Sequence, residues 1–194
     1  MARSWEASRR ASHPARRARI GAREPGLCGD RGAPAERADR GLCHADSDGN
    51  RGAAYVFARR AGAWTEHEDG SRITLSVAPS APVSEMEAVL GTNYLPEPLR
   101  SIVNRNRSRL ASSTWLRCAE HEYRMAAAGH CHLLFYNRLM PWDHAAGWLL
   151  HKVAGGYSAH FDGTAYHPTH FTGGLICAPD KASWHLARAA LLEP

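Results

Sequence analysis

Strands alternating with longer helical segments put this 194-residue chain in the α/β class, with helices layered against sheet. Three observations carry that prediction. The apolar run "HLLFY" reads as a strand and "GGLICAP" as a buried strand. The stretches around 119–128, 141–154 and 180–192 are rich in helix formers, and the first two end on glycine. Residues 1–52 share none of this texture.

Taken in order, "AAYVFARRAGAWTE" and "SRITLSVA" read as strands, with Gly62 and Asp69-Gly70 as turn punctuation. "PVSEMEAVLG" reads as the start of a helix capped at Ser84, because Glu87 three residues on completes a capping-box pattern. "EPLRSIVNRN" reads as a short helix, and "RLASSTW" as a strand. That strand leads into the helix "LRCAEHEYRMAAAG", which Gly129 stops. "HLLFY" is then a strand, and 141–154 a helix with proline at its first position, where the missing N–H has no partner to lose. "YSAHF" turns at Asp162-Gly163, "GGLICAP" is a buried strand, and 180–192 closes the chain as a helix.

Composition narrows the class. No run of eighteen apolar residues offers a membrane span, and the first residues carry no apolar segment of a secretory signal. Five cysteines without a repeated spacing are expected as reduced thiols, hence a cytoplasmic location. The net charge of +5 is uneven: eleven arginines, no lysine and seven acids in residues 1–52 supply +4 of it. With only Trp5, Ile20, Leu27 and Leu42 to bury, that segment is expected to be a disordered Arg-rich tail. It reads as a solvated arm, as a transit peptide over residues 1–23, or as a stretch translated out of frame from a GC-rich gene; the abrupt break near residue 52 favours the last. Lacking interleaved aromatics, it is not read as a nucleic-acid arm.

Several residues invite chemistry. Asp143 in "PWDHAAGWLLHKVAGG" sits in the first turn of an apolar helix, which suits the positive end of the helix dipole and also a rigidly held metal ligand. "GHCH" (Gly129–His132, with Cys131) and "AYHPTHF" (His167, His170) suggest zinc, but no CxxC or HxxxH partner accompanies them. Cys118 with His121 nearby is a weaker suggestion of a nucleophile pair.

The string "PWDHAAGWLLHKVAGG", followed by "FDGTAYHP" and "GGLICAP", resembles the C-terminal motif of the inositol monophosphatase family. The matching residues are Trp142, Asp143, Ala145, Ala146, Gly147, Ala154, Gly155 and Gly156, continued by Asp162-Gly163 and the run 174–178. The resemblance runs over about 53–192, most strongly from residue 110. It implies a partial αβαβα sandwich of the sugar-phosphatase type over 53–194. It also implies Mg²⁺-dependent hydrolysis of an inositol or sugar phosphate, with Asp143 as a metal ligand that helps position the attacking water. The family's upstream glutamate and its Asp-Pro-(Ile/Leu)-Asp-Gly-Thr loop have no counterpart in this sequence. The family's Gly-Ser/Thr-Ala turn falls on Arg117, Cys118 and Ala119, so Arg117 and Ala119 are the expected substrate-binding positions. A family glutamate that holds the inositol ring falls on Tyr136, and Glu-Ala-Gly-Gly becomes Val153-Ala154-Gly155-Gly156. The expectation is therefore a truncated or divergent relative with impaired catalysis, or a binding protein that keeps the fold. A small phosphorylated compound and a second copy of the chain are its candidate partners.

Overall fold

The computed structural model describes residues 41–45, 54–59, 62–67 and 69–194. Two sheets organise them. The first is an antiparallel meander of β1 (Gly41–Ala45), β2 (Ala54–Arg59), β3 (Gly62–His67) and β4 (Arg72–Thr74), in that spatial order. The second holds β5 (Glu87–Leu90), β6 (Ser112–Thr114), β7 (Leu133–Tyr136), β8 (Tyr157–Ala159) and β9 (Leu175–Ala178), in the order β6-β5-β7-β9-β8. β6, β5 and β7 are parallel, while β9 runs antiparallel between β7 and β8.

Helices α2 (Ala119–Ala127) and α3 (Pro141–Val153) form the layer between the sheets, with α3 against β1 and β2 on one side and β8 on the other. Helices α1 (Leu99–Asn106) and α4 (Lys181–Leu192) pack on each other, and α4 lies on β8 and β9. Asp180 caps α4 by accepting the Ser183 N–H at 2.7 Å.

Alternation along the second sheet divides its side chains between two cores. Ala88, Leu90, Leu133, Phe135, Ile176 and Ala178 face α1 and α4 with Trp184 and Leu191, whereas Val89, Leu134, Tyr136, Leu175 and Cys177 face α2 with Tyr123. Covering both faces requires the unbroken apolar runs seen in the sequence. The same demand overturns the helix expected at 84–90. Val83–Glu85 make one 3-10 turn with no side-chain cap, and Glu87–Leu90 form a strand whose Ala88, Val89 and Leu90 are buried from both sides. Central-strand burial outweighs the capping-box pattern, which Ser84 does not fulfil.

Within the stretch expected to be disordered, Gly41–Ala45 are described, as a strand paired with β2. An edge strand is held by backbone bonds and needs little apolar content of its own. The rest of the tail expectation, and the frame reading with it, lies outside the described residues. Among the described residues, no helix is long and apolar enough to cross a membrane.

Candidate active site

A cleft of about 740 Å³ opens where the parallel strands end: Gly91 follows β5, and Tyr136, Asn137 and Arg138 lead out of β7. The N-terminal ends of α2 and α3 meet there, and neither Cys118 nor Met140 caps its helix with a side chain. Carboxyl ends of parallel strands and helix N-termini are where backbone dipoles favour anionic ligands. Asp143, Arg117 and Ala119, the expected site residues, all line this cleft. Asp143 is exposed on the first turn of α3.

Arg117 is exposed and holds a left-handed backbone, φ 62°, where the resembling motif carries glycine. Its guanidinium lies 5.1 Å from the Trp115 ring centroid, and Arg138 stands 5.8 Å from the Tyr94 ring on the same cleft.

Beneath the cleft a buried polar network fixes these loops. Glu122, 1 % exposed, accepts the Leu116 N–H at 3.0 Å and the Tyr136 hydroxyl at 2.8 Å. His144 Nε2 stands 3.0 Å from the Arg138 carbonyl, which can only accept, so Nε2 carries the proton. Nδ1 is then the acceptor for the Tyr123 hydroxyl at 3.3 Å. Burial pushes the His144 pKa down against the opposing pull of its carbonyl bond and Asp143. Burial also drives the phenols of Tyr123 and Tyr136 well above their usual range, so both stay donors. Glu122 thus ties the loop before Arg117 to β7, and His144 ties the Arg138 backbone to α3.

The described residues do not fit the Mg²⁺ site that the resemblance implies. Mg²⁺ takes an octahedron of oxygens anchored on carboxylates. Asp143 and Glu120 are the cleft's carboxylates besides Glu122, whose two oxygens are occupied by Leu116 and Tyr136. Among the described residues, no three His, Cys, Asp or Glu side chains converge to hold a metal. That applies equally to the zinc reading of Cys131, His167 and His170; His170 Nδ1 instead faces His160 Nε2 at 3.0 Å. Burial pushes the Cys131 thiol up to about 12 and Cys177 further, so neither is a thiolate at neutral pH.

Sequence reasoning missed Glu120, Glu122, Arg138, Tyr94 and His144 as cleft or support residues. His144 was readable, because it follows Asp143 on a helix facing the core. Tyr94 and Arg138 gave no signal, since only the fold brings their loops together.

The sequence pattern of the inositol monophosphatase family matches residues 50–193. The chain belongs to the inositol monophosphatase family. Among solved structures, the fold is similar to a staphylococcal IMPase-II (TM-score 0.62, 18 % identity, 73 % of this chain and 55 % of that one). It is similar also to the extragenic suppressor protein suhB from Bartonella henselae (TM-score 0.57, 19 % identity, 73 % and 57 %). A third is SaIMPase-II with inositol monophosphate bound (TM-score 0.56, 15 % identity, 77 % and 61 %). No curated protein matches the chain. The chain therefore spans little more than half the length of the first of these inositol monophosphatase structures. The described layers, sheet, helix pair, sheet and helix pair, correspond to that part of the family's sandwich.

Proposed function

We propose that this chain binds small phosphate monoesters in the cleft and is impaired, on its own, in hydrolysing them. The observation that carries the reading is the convergence of Arg117 with the uncapped N-terminal ends of α2 and α3 on one cleft. A guanidinium matches phosphate oxygens in pairs, and the helix ends add N–H donors. SaIMPase-II, of the same fold, holds inositol monophosphate. Impairment follows from the donor set: Asp143 has no cluster of carboxylates around it among the described residues. Unpaired Cys118, Cys131 and Cys177 suit a reducing compartment, and we place the chain in the cytoplasm. The fully exposed edge strand β4 offers a second copy a backbone to pair with, so self-association belongs to the same reading.

The test is calorimetric titration with inositol monophosphate and inorganic phosphate, beside a phosphate-release assay with Mg²⁺. Binding that Arg117→Gln weakens, with no Mg²⁺-dependent release and no change on Asp143→Asn, is expected. Turnover abolished by Asp143→Asn would overturn the impairment. Absence of binding would favour a scaffold that keeps the fold alone.

A further inference from the structure

A second cavity, of about 580 Å³, lies along α2 between that helix and strands β3 and β4, and its size is that of a small-molecule site. His121, Arg124 and Met125, spaced three and four apart, form its helix wall. Thr65 and His67 face them from β3, on the same side of the sheet as the buried Ala63, with Ile73 of β4 beside them. The groove is basic and unpaired. Arg124, His67, His121 and His130 line it, no carboxylate does among the described residues, and none of the four has a side-chain hydrogen bond or ion pair there. Asp69 feels the charge of His67 across the turn, but its carboxylate is held by the Ser71 N–H at 2.8 Å. The imidazoles do not converge on a metal among the described residues. Between the basic groups the lining is apolar. Ile73 and Leu116, 58 % and 45 % exposed, leave hydrocarbon uncovered at the groove.

Two chemistries are thus left unsatisfied in one cavity. An inorganic anion would pair with Arg124 and leave the apolar lining wet. A neutral hydrocarbon would cover the lining and strip water from an unpaired guanidinium, which costs more than the covering returns. Independently of the phosphate reading of the cleft, we propose that this groove binds a small amphipathic carboxylate, of the medium-chain fatty-acid class. The Arg124 fork pairs with the carboxylate, and the imidazoles supply further N–H donors in either protonation state. The hydrocarbon chain covers Ile73, Leu116 and Met125.

The test titrates the full chain calorimetrically with decanoate, acetate and decanol, and repeats the series on Arg124→Gln, Ile73→Asp and Arg117→Gln. Sedimentation and thermal melts accompany each variant. One saturable decanoate site is expected, at least about tenfold tighter than acetate, which lacks the chain, or decanol, which lacks the charge. Arg124→Gln weakens it by about fivefold or more, and so does Ile73→Asp, which puts a like charge on the exposed groove wall. Cys118 borders both cavities, so Arg117→Gln is the control for the cleft: it leaves decanoate affinity within about twofold. Absence of a saturable site overturns the proposal, as does decanol binding as tightly as decanoate. Loss of decanoate on Arg117→Gln alone assigns the acid to the cleft and overturns it too. A dimer that excludes decanoate and that Ile73→Asp dissolves shows that a second copy covers the groove instead. Should Arg124→Gln lower the thermal midpoint, Ile73→Asp, at an exposed strand position, decides alone.

Discussion

The two sheets are built on different economies of side-chain size. The five-stranded sheet is covered on both faces and fills them with large groups: Phe135, Leu133, Leu134, Leu175 and Ile176 are fully buried. Of the described side chains of the four-stranded sheet, Ala58 and Ala63 are buried against Ala127 of α2, Leu150 of α3 and Ala154, with Leu75 and Val77 partly covered beside them. Its last strand is exposed throughout. Among the described side chains, the large fully buried groups of the sheets lie in the second one. The cleft sits on that robust side, at the ends of β5 and β7, where loops can carry strained or charged residues without threatening the core.

The comparison breaks most readily at its strongest point. Phe135→Ala should cost about 4 kcal/mol in urea unfolding, against about 1 kcal/mol for Leu75→Ala, just past β4 beside the first sheet. Similar losses for the two would mean that both sheets share one uniformly packed core. A second lever is the helix pair that both sheets lean on. A Cβ on Gly147 would lie 2.1 Å from the Tyr123 ring, which is fully buried. Gly147→Ala should thus cost about 3 kcal/mol by forcing α2 and α3 apart. A mutant with the wild-type midpoint would show that the helix layer yields more freely than packed rings allow.

Acid sharpens the contrast on the face of α3 turned away from the cleft. His151 is 1 % exposed, its Nδ1 lacks a hydrogen-bond partner, and burial lowers its pKa from 6.5 to about 4. Below pH 6.5 the unfolded chain binds a proton that the folded chain refuses, so stability is full above that value and falls as pH drops toward 4. At pH 5 the loss from this group should be about 2 kcal/mol. His151→Leu should flatten that limb in urea melts at pH 7 and 5, leaving the smaller contribution of His144, also depressed by burial. An unchanged slope in the variant would assign the acid sensitivity elsewhere.

The smallest effect concerns the cleft. With φ at 62°, Arg117 bears the cost of a left-handed backbone that glycine avoids. Arg117→Gly should be more stable than Arg117→Ala by about 1 kcal/mol, while both lose phosphate affinity. Such a result would separate the strain of the loop from the use of its guanidinium.

Much of the architecture was written in local patterns: the first-turn Pro141 and Asp143, the glycine stops, and the uninterrupted runs at 133–136 and 175–178. β5 escaped because a short apolar run flanked by a serine and a glutamate has the same local pattern as a helix start, and only its neighbours β6 and β7 decide. The cleft was legible where a motif spans it, at Arg117, Ala119 and Asp143. It was not legible at Glu122, which in sequence is an ordinary helix glutamate and becomes a buried clamp only when Tyr136 and Leu116 are brought to it.

The position of β9 has a consequence for how the chain comes into being. It lies in the interior of the second sheet, between β7 and β8, yet it is the last strand in the sequence. During synthesis, β5, β6, β7 and β8 all leave the ribosome before the strand that joins β8 to the others. α4, whose Trp184 indole N–H donates to the Ile176 carbonyl of β9, follows later still. Until then β7 offers an open edge and a greasy face to every chain nearby. Assembly of the larger core therefore waits for β9, and a stop codon or ribosome stall before Leu175 leaves β7 without the strand that covers its edge.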